Sequence, residues 1–436
     1  MRIGKLEVSR TTVFGFGRTG RAVVEFLLSR GVDLFVTDAG ALPAEAKDFL
    51  SSNSIRYEEE GHTDRALRDA DLIVLSPGVD PRIPILEQAR AQDIPIMSEL
   101  DLACLFIPNV PIVAVTGTNG KSTTVKLVEA ILHSQGLRAV SAGNIGTPAI
   151  SLVDRRYDAI VLEVSSFQLE QSHVFHPHIG VLLNISPDHL GRHRTMAEYE
   201  ATKLRLFSNQ TAEDIAVLPR ALSRKIEWIK AKRVHYEDVP LPASTGFTDL
   251  LPHNRANLRA AIAAAQGIVA FNPNSLRFSV LESAFSLPFR MQVEGKIDGA
   301  IVVNDSKSTN AASTIAALRG FERPVVLILG GRHKRAGYEA LAREIAARNV
   351  KKVILYGEAA AYLADHLQTA GVKAFTISHD FSMAVKCAVD NISVGEVLLF
   401  SPGCSSYDQF RNYEERGAAF SRIIRAHPRF EPASRI

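Results

Sequence analysis

The chain has 436 residues, enough for about three domains, and 46% of them are hydrophobic, which is sufficient for buried cores. A formal net charge of +3 gives no electrostatic argument for nucleic acid, and no apolar run is long enough to span a membrane. Three cysteines without paired spacing (Cys104, Cys387 and Cys404) predict a reducing, cytosolic setting without a disulfide or zinc framework. The N-terminal residues lack the long apolar segment of a signal peptide.

The first part of the chain, as far as Ser98, alternates strands and helices. The predicted strands are Thr11–Phe14, Asp33–Thr37 and Asp71–Leu75, and the predicted helix is Arg21–Arg30. This alternation is typical of a Rossmann-type half, whose ligand binds at the carboxyl ends of the strands.

A G-x-G-x-x-G motif follows the first strand. Its residues are Gly15, Phe16, Gly17, Arg18, Thr19 and Gly20. With Asp38 at the end of the second strand, the motif predicts a dinucleotide such as NAD, whose ribose the carboxylate would bind. Glycine turns of this kind bind several nucleotides and also occur as structural turns, so the ligand stays open at this point. Ser76, Pro77 and Gly78 follow the third strand, at the same predicted edge.

The most informative stretch is a glycine loop between an apolar strand, Pro111–Val115, and a helix, Thr123–His133. Its residues are Gly117, Thr118, Asn119, Gly120, Lys121, Ser122 and Thr123. Backbone N–H groups at the helix start can bind phosphate, Lys121 adds a positive charge, and either following hydroxyl can ligate magnesium. The loop is shorter than the standard P-loop, because Val115 stands where that motif has glycine. A glycine turn that only links strand to helix is the alternative.

Two polar residues follow strands of the same predicted sheet. Glu163 ends the strand Asp158–Glu163, and His189 lies just beyond the strand Ile179–Asn184. At the edge beside Lys121, a carboxylate could hold magnesium on a nucleotide, and a neutral imidazole could ligate a second metal ion. The alternatives are a carboxylate that caps a helix and a histidine in a solvated loop. Two further helices are predicted, Met196–Phe207 with Lys203 and Asn254–Ala265 with Asn257.

A third α/β pattern begins at about Pro288. Its predicted strands are Ala300–Asn304, Val325–Leu329, Lys352–Tyr356 and Val397–Ser401, and its predicted helices are Tyr338–Arg348, Ala359–Ala370 and Phe381–Asn391. The alternation predicts a mainly parallel sheet. Polar stretches follow the first and last strands, at Asn304–Asn310 and Ser401–Phe410, and could bind a ribose, a phosphate or a charged substrate. A plain helix start is the alternative for the first, and Cys404 has no nearby histidine in the sequence to activate it as a nucleophile.

These stretches together resemble the Mur ligases, the ATP-dependent amino-acid ligases of peptidoglycan precursor synthesis. The shortened phosphate loop is shared by that family and by folylpolyglutamate synthetases. Three stretches resemble the D-glutamate-adding branch in particular: Glu163–Glu170, Asn304–Asn310, and Ser401–Phe410 with Asn412–Gly417. The resemblance implies an α/β fold of three domains: a Rossmann-like N-terminal domain (1–98), a central P-loop ATPase-like parallel sheet (99–287) and a Rossmann-like C-terminal domain (288–436).

The resemblance also implies a role for each candidate residue. UDP-N-acetylmuramoyl-L-alanine would bind through the first glycine motif, Asp38, Ser76, Pro77 and Gly78, with Asn144, Ser165 and Gln168 at its muramoyl-alanine end, which displaces NAD. ATP would bind through Gly117–Thr123, Asn257, Arg290 and Asp305. Two magnesium ions would be held by Ser122, Glu163, His189 and a carbamylated Lys203. D-Glutamate would bind through Lys307, Thr309, Lys334, Ser406 and Tyr413.

The implied enzyme is a cytosolic monomer that joins D-glutamate to its UDP-linked substrate through an acyl phosphate, with no nucleic-acid or membrane partner. Three rival functions remain. A folylpolyglutamate synthetase does not need the first Rossmann-type unit, an NAD-dependent dehydrogenase leaves the phosphate loop unexplained, and a non-catalytic nucleotide-binding regulator leaves Glu163, His189 and Lys203 without a task.

The sequence departs from the family pattern at four positions. Phe289 stands for a histidine, His333 for an aspartate, Arg335 for a glycine and Gly191 for an aspartate. The first three concern the nucleotide and amino-acid contacts expected in the C-terminal domain.

Overall fold

The computed structural model describes residues 1–3, 6–107, 109–244, 246–248, 250–334, 337–378 and 380–433, and of Arg224 only the backbone. The chain divides into two compact units. The first comprises Met1–Asn184, Glu200–Thr248 and Arg255–Val280, and the second comprises Ile185–Tyr199, Asp249–Asn254 and Leu281–Ile436. Both contain parallel strands separated by helices, which confirms the predicted α/β class.

The N-terminal residues form a parallel sheet in the first unit. A short antiparallel pair, β1 (Arg2–Ile3) and β2 (Leu6–Glu7), precedes it. The sheet strands are β3 (Arg10–Phe14), β4 (Asp33–Thr37), β5 (Arg56–Glu58), β6 (Leu72–Leu75) and β7 (Ile96–Ser98), and the helices are α1 (Arg18–Leu28), α2 (Ala44–Ser52), α3 (Pro84–Ala91) and α4 (Glu99–Phe106). The strand order is β5-β4-β3-β6-β7. Helix α1 begins at Arg18, inside the glycine motif and earlier than predicted, because extended Gly17 is its N-cap.

A second parallel sheet carries the phosphate loop. Its strands are β8 (Ile112–Thr116), β9 (Ala139–Gly143), β10 (Ala159–Glu163), β11 (Ile179–Leu182), β12 (Ile215–Leu218) and β13 (Lys232–His235), in the order β13-β12-β11-β8-β10-β9. The helices of this region are α5 (Lys121–Ser134), α6 (Ser166–Glu170), α7 (Leu190–His193), α8 (Met196–Leu204), α9 (Pro252–Gln266) and α10 (Phe278–Phe285). Short 3-10 turns lie at Asp64–Ala66, Ala149–Leu152, Arg205–Phe207, Arg220–Lys225, Tyr236–Asp238 and Pro273–Ser275.

The second unit is built on a mixed sheet. Its strands are β14 (Gln292–Ile297), β15 (Ala300–Asn304), β16 (Val325–Gly330), β17 (Val350–Tyr356), β18 (Phe375–Ile377), β19 (Val397–Gly403) and β20 (Phe430–Pro432), and its helices are α11 (Ala311–Leu318), α12 (Tyr338–Ala347), α13 (Ala360–Thr369), α14 (Phe381–Val389) and α15 (Tyr413–Arg425). The order is β18-β17-β16-β19-β15-β14-β20. Strand β14 pairs antiparallel with both of its neighbours, and the other pairings are parallel.

Strand β16 shows why this sheet is covered on both faces. Val325, Leu327 and Leu329 pack into one cluster with residues of α11, α12 and α13. Val326 and Ile328 point the other way and pack with residues of α14 and α15. Successive side chains of a strand face opposite sides, so a continuous apolar run requires helices on both faces.

The predicted elements differ from the structure mainly at their ends. The strand predicted for Val397–Ser401 continues to Gly403, and the helix predicted for Met196–Phe207 is α-helical only to Leu204. Each of the three larger sheets falls within one of the three predicted domain ranges. The first two of these sheets share one compact unit. The domain boundaries after residues 98 and 287 stay predictions. In the described parts of the chain, no helix has the length and apolar character needed to cross a bilayer.

Candidate functional site

The phosphate loop connects β8 to α5 at the carboxyl edge of the second sheet. Helix α5 begins at Lys121, two residues before the predicted start, and its N-cap is Gly120. Gly120 has a φ of 92°, and a Cβ there would lie 2.3 Å from Oδ1 of Asn257, so only glycine fits. The first turn of α5 lies beside the loop, and the first N–H groups of any helix have no partner within the helix, which is the geometry that binds phosphate.

Asn184 holds the loop in place. Its carbonyl oxygen accepts from Thr118 N at 2.9 Å, and its side chain accepts from Asn119 N at 2.9 Å and donates to Asn119 O at 3.0 Å. The sequence predicted Asn184 only as a strand end. Its role depends on the pairing of β11 with β8, and the local sequence does not predict that pairing.

Two lysines converge on one carbonyl of the loop. Lys121 Nζ lies 2.9 Å from Gly117 O and 2.9 Å from Thr118 O, and Lys203 Nζ lies 2.9 Å from the same Gly117 O. Lys203 is only 1% exposed, so its side chain lies on the buried side of its helix. Glu200, three residues earlier on the same helix, pairs with Lys225 and not with Lys203.

Glu163 links the phosphate loop to the neighbouring strand. Its carboxylate is buried, accepts from Ser122 Oγ at 2.6 Å and accepts from Asn144 Nδ2 at 2.8 Å. Residue pairing aligns Glu163 with Val115 on one side and Gly143 on the other. The carboxylate does not cap α6, because Ser165 is that cap and forms a capping box with Gln168.

Several buried polar atoms around the loop lack partners among the residues that the structure describes. Asn257 Nδ2 and the hydroxyls of Thr123 and Thr124 have no hydrogen bond to any described residue. A buried donor without a partner is costly, and an incoming ligand can remove that cost. The loop thus lies together with Thr123 and Asn257, as the sequence predicted for an ATP site. The contacts of these residues with ATP stay a prediction.

A cavity of about 530 Å³ lies in the first unit, beside the first glycine motif. Its lining includes the predicted residues Gly15, Gly17, Arg18, Thr19, Asp38, Ser76, Pro77, Gly78, Asn144 and Gln168. The other three predicted residues, Phe16, Gly20 and Ser165, are not in the lining. Asp38 shapes the turn, because its Oδ2 accepts from Phe16 N at 2.7 Å and its Oδ1 accepts from Gly40 N at 2.9 Å.

In the second unit, Lys334 is paired with a carboxylate that the sequence analysis did not single out. Its Nζ lies 2.9 Å from Oδ1 of Asp188, whose Oδ2 accepts from Asn310 Nδ2 at 3.0 Å. His189 follows Asp188 with a φ of 54°, and its Nε2 lies 3.6 Å from Asp188 Oδ2. Asn310 is also the N-cap of α11. The helix start that was the alternative interpretation of Asn304–Asn310 is therefore present, and it lies beside the ion pair.

Two of the predicted D-glutamate residues meet in the second unit. Lys307 Nζ donates to Tyr413 Oη at 2.8 Å. Ser406 is buried and Thr309 is half-buried.

Arg416 was not assigned a role from the sequence. It is fully buried and donates to Ser306 O and Cys404 O. These bonds hold the polar stretches Asn304–Asn310 and Ser401–Phe410 together.

Asp305, expected to contact ATP, is buried inside the second unit. Its carboxylate accepts from Ser308 Oγ and Ser401 Oγ, and from Met291 N. Burial raises its pKa, while these hydrogen bonds and the charge of Arg290 oppose the rise. Asp305 therefore organises the ends of β15 and β19, and direct contacts of Asp305 and Arg290 with nucleotide stay predictions.

Three of the four residues that depart from the family pattern lie in described parts of the structure. The Phe289 ring packs against Gly417, where an added Cβ would lie 2.5 Å from the ring. His333 stacks on Tyr362 with ring centroids 4.8 Å apart, and Gly191 has open space around it. Arg335 lies outside the described residues.

Family models match two parts of the chain: the MurD N-terminal domain at residues 10–85 and the Mur ligase middle domain at residues 115–241. The chain is 35% identical over 447 residues to the UDP-N-acetylmuramoylalanine–D-glutamate ligase of Pelotomaculum thermopropionicum, covering 95% of this chain and 97% of that one. It is 36% identical over 449 residues to the ligase of the same name from Koribacter versatilis, with the same coverage.

Solved structures share the fold at lower identity. The UDP-N-acetylmuramate-alanine ligase of Thermotoga maritima superposes with a TM-score of 0.56 at 18% identity, covering 96% of this chain and 100% of that one. The MurF ligase of Thermotoga maritima in complex with ADP has a TM-score of 0.58 at 15% identity, covering 97% and 96%. With identity above 30% over nearly the whole length of its relatives, the chain belongs to the Mur ligase family, in its UDP-N-acetylmuramoylalanine–D-glutamate ligase branch.

Proposed function

We propose that this chain joins D-glutamate to UDP-N-acetylmuramoyl-L-alanine at the expense of ATP. One observation in the first unit carries the proposal. Asn144 lines the 530 Å³ cavity and donates to Glu163, which in turn accepts from Ser122 of the phosphate loop. A substrate bound in the cavity would end beside the phosphates of ATP, which is the proximity that phosphoryl transfer requires.

In the proposed reaction, a carboxylate oxygen of UDP-N-acetylmuramoyl-L-alanine attacks the γ-phosphorus of ATP, and ADP leaves. The product is an acyl phosphate. The amine of D-glutamate then attacks the acyl carbon, loses a proton, and expels inorganic phosphate from the tetrahedral intermediate. No protein nucleophile takes part, in keeping with Cys404, whose burial raises the pKa of its thiol to about 11.

The chain's own contribution is position and charge. The N–H groups at the start of α5 would bind the phosphates, and Lys121 would neutralise part of their charge. Asn257, whose buried Nδ2 lacks a partner among the described residues, would gain one from the nucleotide. Lys307, Thr309, Lys334, Ser406 and Tyr413 would receive D-glutamate.

The donor atoms beside the loop fit magnesium. Ser122 Oγ and the Glu163 carboxylate are hard oxygen ligands held 2.6 Å apart at the edge of the sheet. One ion would be ligated by Ser122 and Glu163, and a second by His189 and a carbamylated Lys203. Bound magnesium supplies charge neutralisation on the phosphates.

Carbamylation of Lys203 has a physical basis in the first unit. Lys203 is buried, and its Nζ shares the carbonyl of Gly117 with Lys121 Nζ. Burial and a neighbouring like charge both favour a neutral amine. A neutral amine can add carbon dioxide with loss of a proton, which gives an anionic carbamate with two oxygen ligands.

A monomeric state and a cytosolic location stay predictions from the sequence.

Phosphate release tests the function itself. With ATP and magnesium, we expect one phosphate per turnover only when UDP-N-acetylmuramoyl-L-alanine and D-glutamate are both present. L-Glutamate, D-alanine and glycine in place of D-glutamate should give little release, and calorimetry should detect UDP-substrate binding but not NAD binding. Micromolar binding of NAD without UDP-substrate binding would refute the ligase assignment.

Lys121→Ala should reduce phosphate release more than tenfold, since a charge contact to the transferring phosphoryl group contributes over about 1.4 kcal/mol. Lys126→Ala is the matched control on the same helix, where the lysine pairs with Glu129 and Ser141 instead. Thermal unfolding should show that both variants are folded. Activity of Lys121→Ala above about a tenth of wild type would contradict the phosphate role.

Lys334→Ala should raise KM for D-glutamate about tenfold or more, because the substrate carboxylate loses its cation. The variant also removes the ion pair between Lys334 and the buried Asp188 carboxylate, so a lower Tm is expected. Lys351→Ala removes a lysine paired with Glu396 on the same sheet and should leave KM unchanged. An unchanged KM in Lys334→Ala would place D-glutamate elsewhere.

Lys203→Ala should be nearly inactive and partly restored by added short-chain carboxylic acids, which can supply the missing carbamate oxygens. Lys225→Ala, which removes the exposed partner of Glu200, should keep wild-type activity. Full activity of Lys203→Ala in carbonate-depleted buffer would end the carbamate hypothesis.

A further inference from the structure

Glu99 carries a carboxyl group in the interior of the first unit, and the reaction proposed above gives it no role. It is the first residue of α4, directly after β7, and it is only 1% exposed. Glutamate is rarely buried to this extent unless its carboxyl group has partners that replace water. The contacts of Glu99 therefore indicate its role.

The carboxyl group of Glu99 holds the start of a short 3-10 turn. Its Oε1 accepts from Ile150 N at 2.8 Å, and the N–H of Ala149 also donates to the carboxyl group. These two residues begin the turn Ala149–Leu152, and the first N–H groups of such a turn have no partner within it. Glu99 supplies that partner from α4, so the turn is fixed relative to the helix.

This turn follows the segment that carries Asn144 to the wall of the 530 Å³ cavity. Gly143 N donates to Thr147 O at 2.8 Å, which closes the segment into a tight loop just before the turn. Asn144 N donates to Glu163 O at 2.9 Å, and Asn144 Nδ2 donates to Glu163 Oε1 at 2.8 Å. The position of Asn144 thus depends on Glu163 on one side and, through the turn, on Glu99 on the other.

The two oxygens of the Glu99 carboxyl group have different surroundings. Oε1 accepts from Ile150, whereas Oε2 is buried and has no hydrogen bond to any described residue. A buried ionised carboxylate with one bare oxygen is costly, whereas the protonated group has no net charge to solvate. Burial raises the pKa of Glu99 to about 7, and the two backbone N–H groups only partly oppose the rise. Both protonation states are therefore populated near neutral pH.

The other titratable groups in this part of the first unit belong to α4, to the segment after α6 and to α1. They are Asp101, Cys104, His173, Arg18, Arg21 and Glu25. Burial and the charges of Asp101 and Glu99 raise the pKa of the Cys104 thiol. The 3-10 turn and strand β7 have no titratable side chain. The pKa of Glu99 is therefore governed by burial and by its two backbone hydrogen bonds.

We propose that protonated Glu99 is a positioning residue for the UDP-linked substrate, because it fixes the turn behind Asn144, and that loss of its proton loosens this turn and weakens substrate binding. This inference rests on the proposed binding of UDP-N-acetylmuramoyl-L-alanine in the cavity that Asn144 lines. Glu99 is not part of the cavity lining, so its effect on the substrate passes through Asn144.

The linkage between protonation and structure gives the direction of the effect. Because burial raises the pKa of Glu99 above the 4.5 of an exposed glutamate, ionisation favours any arrangement that admits water to the carboxylate. Opening the contact between α4 and the 3-10 turn is such an arrangement. With a pKa of about 7, about nine-tenths of the Glu99 side chains are protonated at pH 6 and about one-tenth at pH 8.

Calorimetric titration of the full chain with UDP-N-acetylmuramoyl-L-alanine at pH 6 and pH 8 tests the proposal. Neither the diphosphate diester nor the carboxylate of this substrate titrates in that range. Glu99→Gln keeps an oxygen that can accept from Ile150, and it cannot ionise. We expect the Kd of the wild type to match that of Glu99→Gln within about twofold at pH 6 and to exceed it by about threefold to tenfold at pH 8.

Three comparisons separate positioning from general stability. ADP with magnesium should bind the wild type and Glu99→Gln equally at both pH values, because Asn184 holds the phosphate loop. Glu129→Gln changes another carboxylate that accepts a backbone N–H, that of Ser141 in β9, and should behave as the wild type. In an Asn144→Ala background, Glu99→Gln should no longer alter the pH dependence, since its effect passes through Asn144.

Thermal unfolding checks that the proton of Glu99 is the cause. The raised pKa means that the wild type loses stability as pH rises from about 4.5 through about 7, whereas Glu99→Gln has no such loss at this position. The Tm of Glu99→Gln minus that of the wild type should therefore increase from pH 5 to pH 8. A constant difference, or a Glu99→Gln variant that fails to fold at pH 8, would contradict the proposal.

The outcomes distinguish this inference from the function on which it rests. A ratio of the two Kd values that is the same at pH 6 and pH 8 would overturn the positioning role and leave the ligase function intact. An equal change in the binding of ADP would mean that Glu99 acts on the whole unit, which also overturns it. Failure of the wild type to bind UDP-N-acetylmuramoyl-L-alanine at either pH would instead refute the proposed function.

Discussion

The carboxylate of Glu163 is buried at the carboxyl edge of a parallel sheet, where a negative charge is stable only if hydrogen bonds replace the water it has lost. Ser122 and Asn144 supply those bonds from opposite sides. Each is a hydrogen bond to a charged group, and losing one would cost about 1.5–3 kcal/mol. The same two bonds connect the phosphate loop with the wall of the 530 Å³ cavity, so the stability of the sheet edge and the position of the candidate site depend on one side chain.

The sheet places this carboxylate through register. Strand β10 lies between β8 and β9, and residue pairing brings Glu163 level with the residues that precede the phosphate loop and the glycine turn at Gly143. Parallel strands end at a common edge, so polar residues that are far apart in sequence become neighbours there. The chemistry proposed for the chain then needs little beyond helix N–H groups, a few cations and oxygen ligands.

The features that follow from local physics were predictable from the sequence. A glycine loop between an apolar strand and a helix predicts the strand–loop–helix unit around Lys121, and a strand that ends in a carboxylate predicts the position of Glu163 at the sheet edge. Helix starts were displaced by two or three residues, because Gly17 and Gly120 cap their helices without the side-chain signal of a serine or aspartate. Asn184 and the Asp188–Lys334 pair were not predictable, since each depends on contacts between distant segments that no spacing encodes.

In the reaction proposed for the chain, a substrate carboxylate is activated by phosphorylation beside the edge of the sheet at Glu163. Transfer of ¹⁸O measures this most directly, with UDP-N-acetylmuramoyl-L-alanine labelled in both oxygens of the alanine carboxylate. The attacking oxygen stays bonded to phosphorus when the amine expels phosphate, so the released phosphate should carry one ¹⁸O atom per amide formed. Unlabelled phosphate formed together with the amide product would contradict an acyl phosphate intermediate and the proposed transfer of phosphate to the substrate carboxylate.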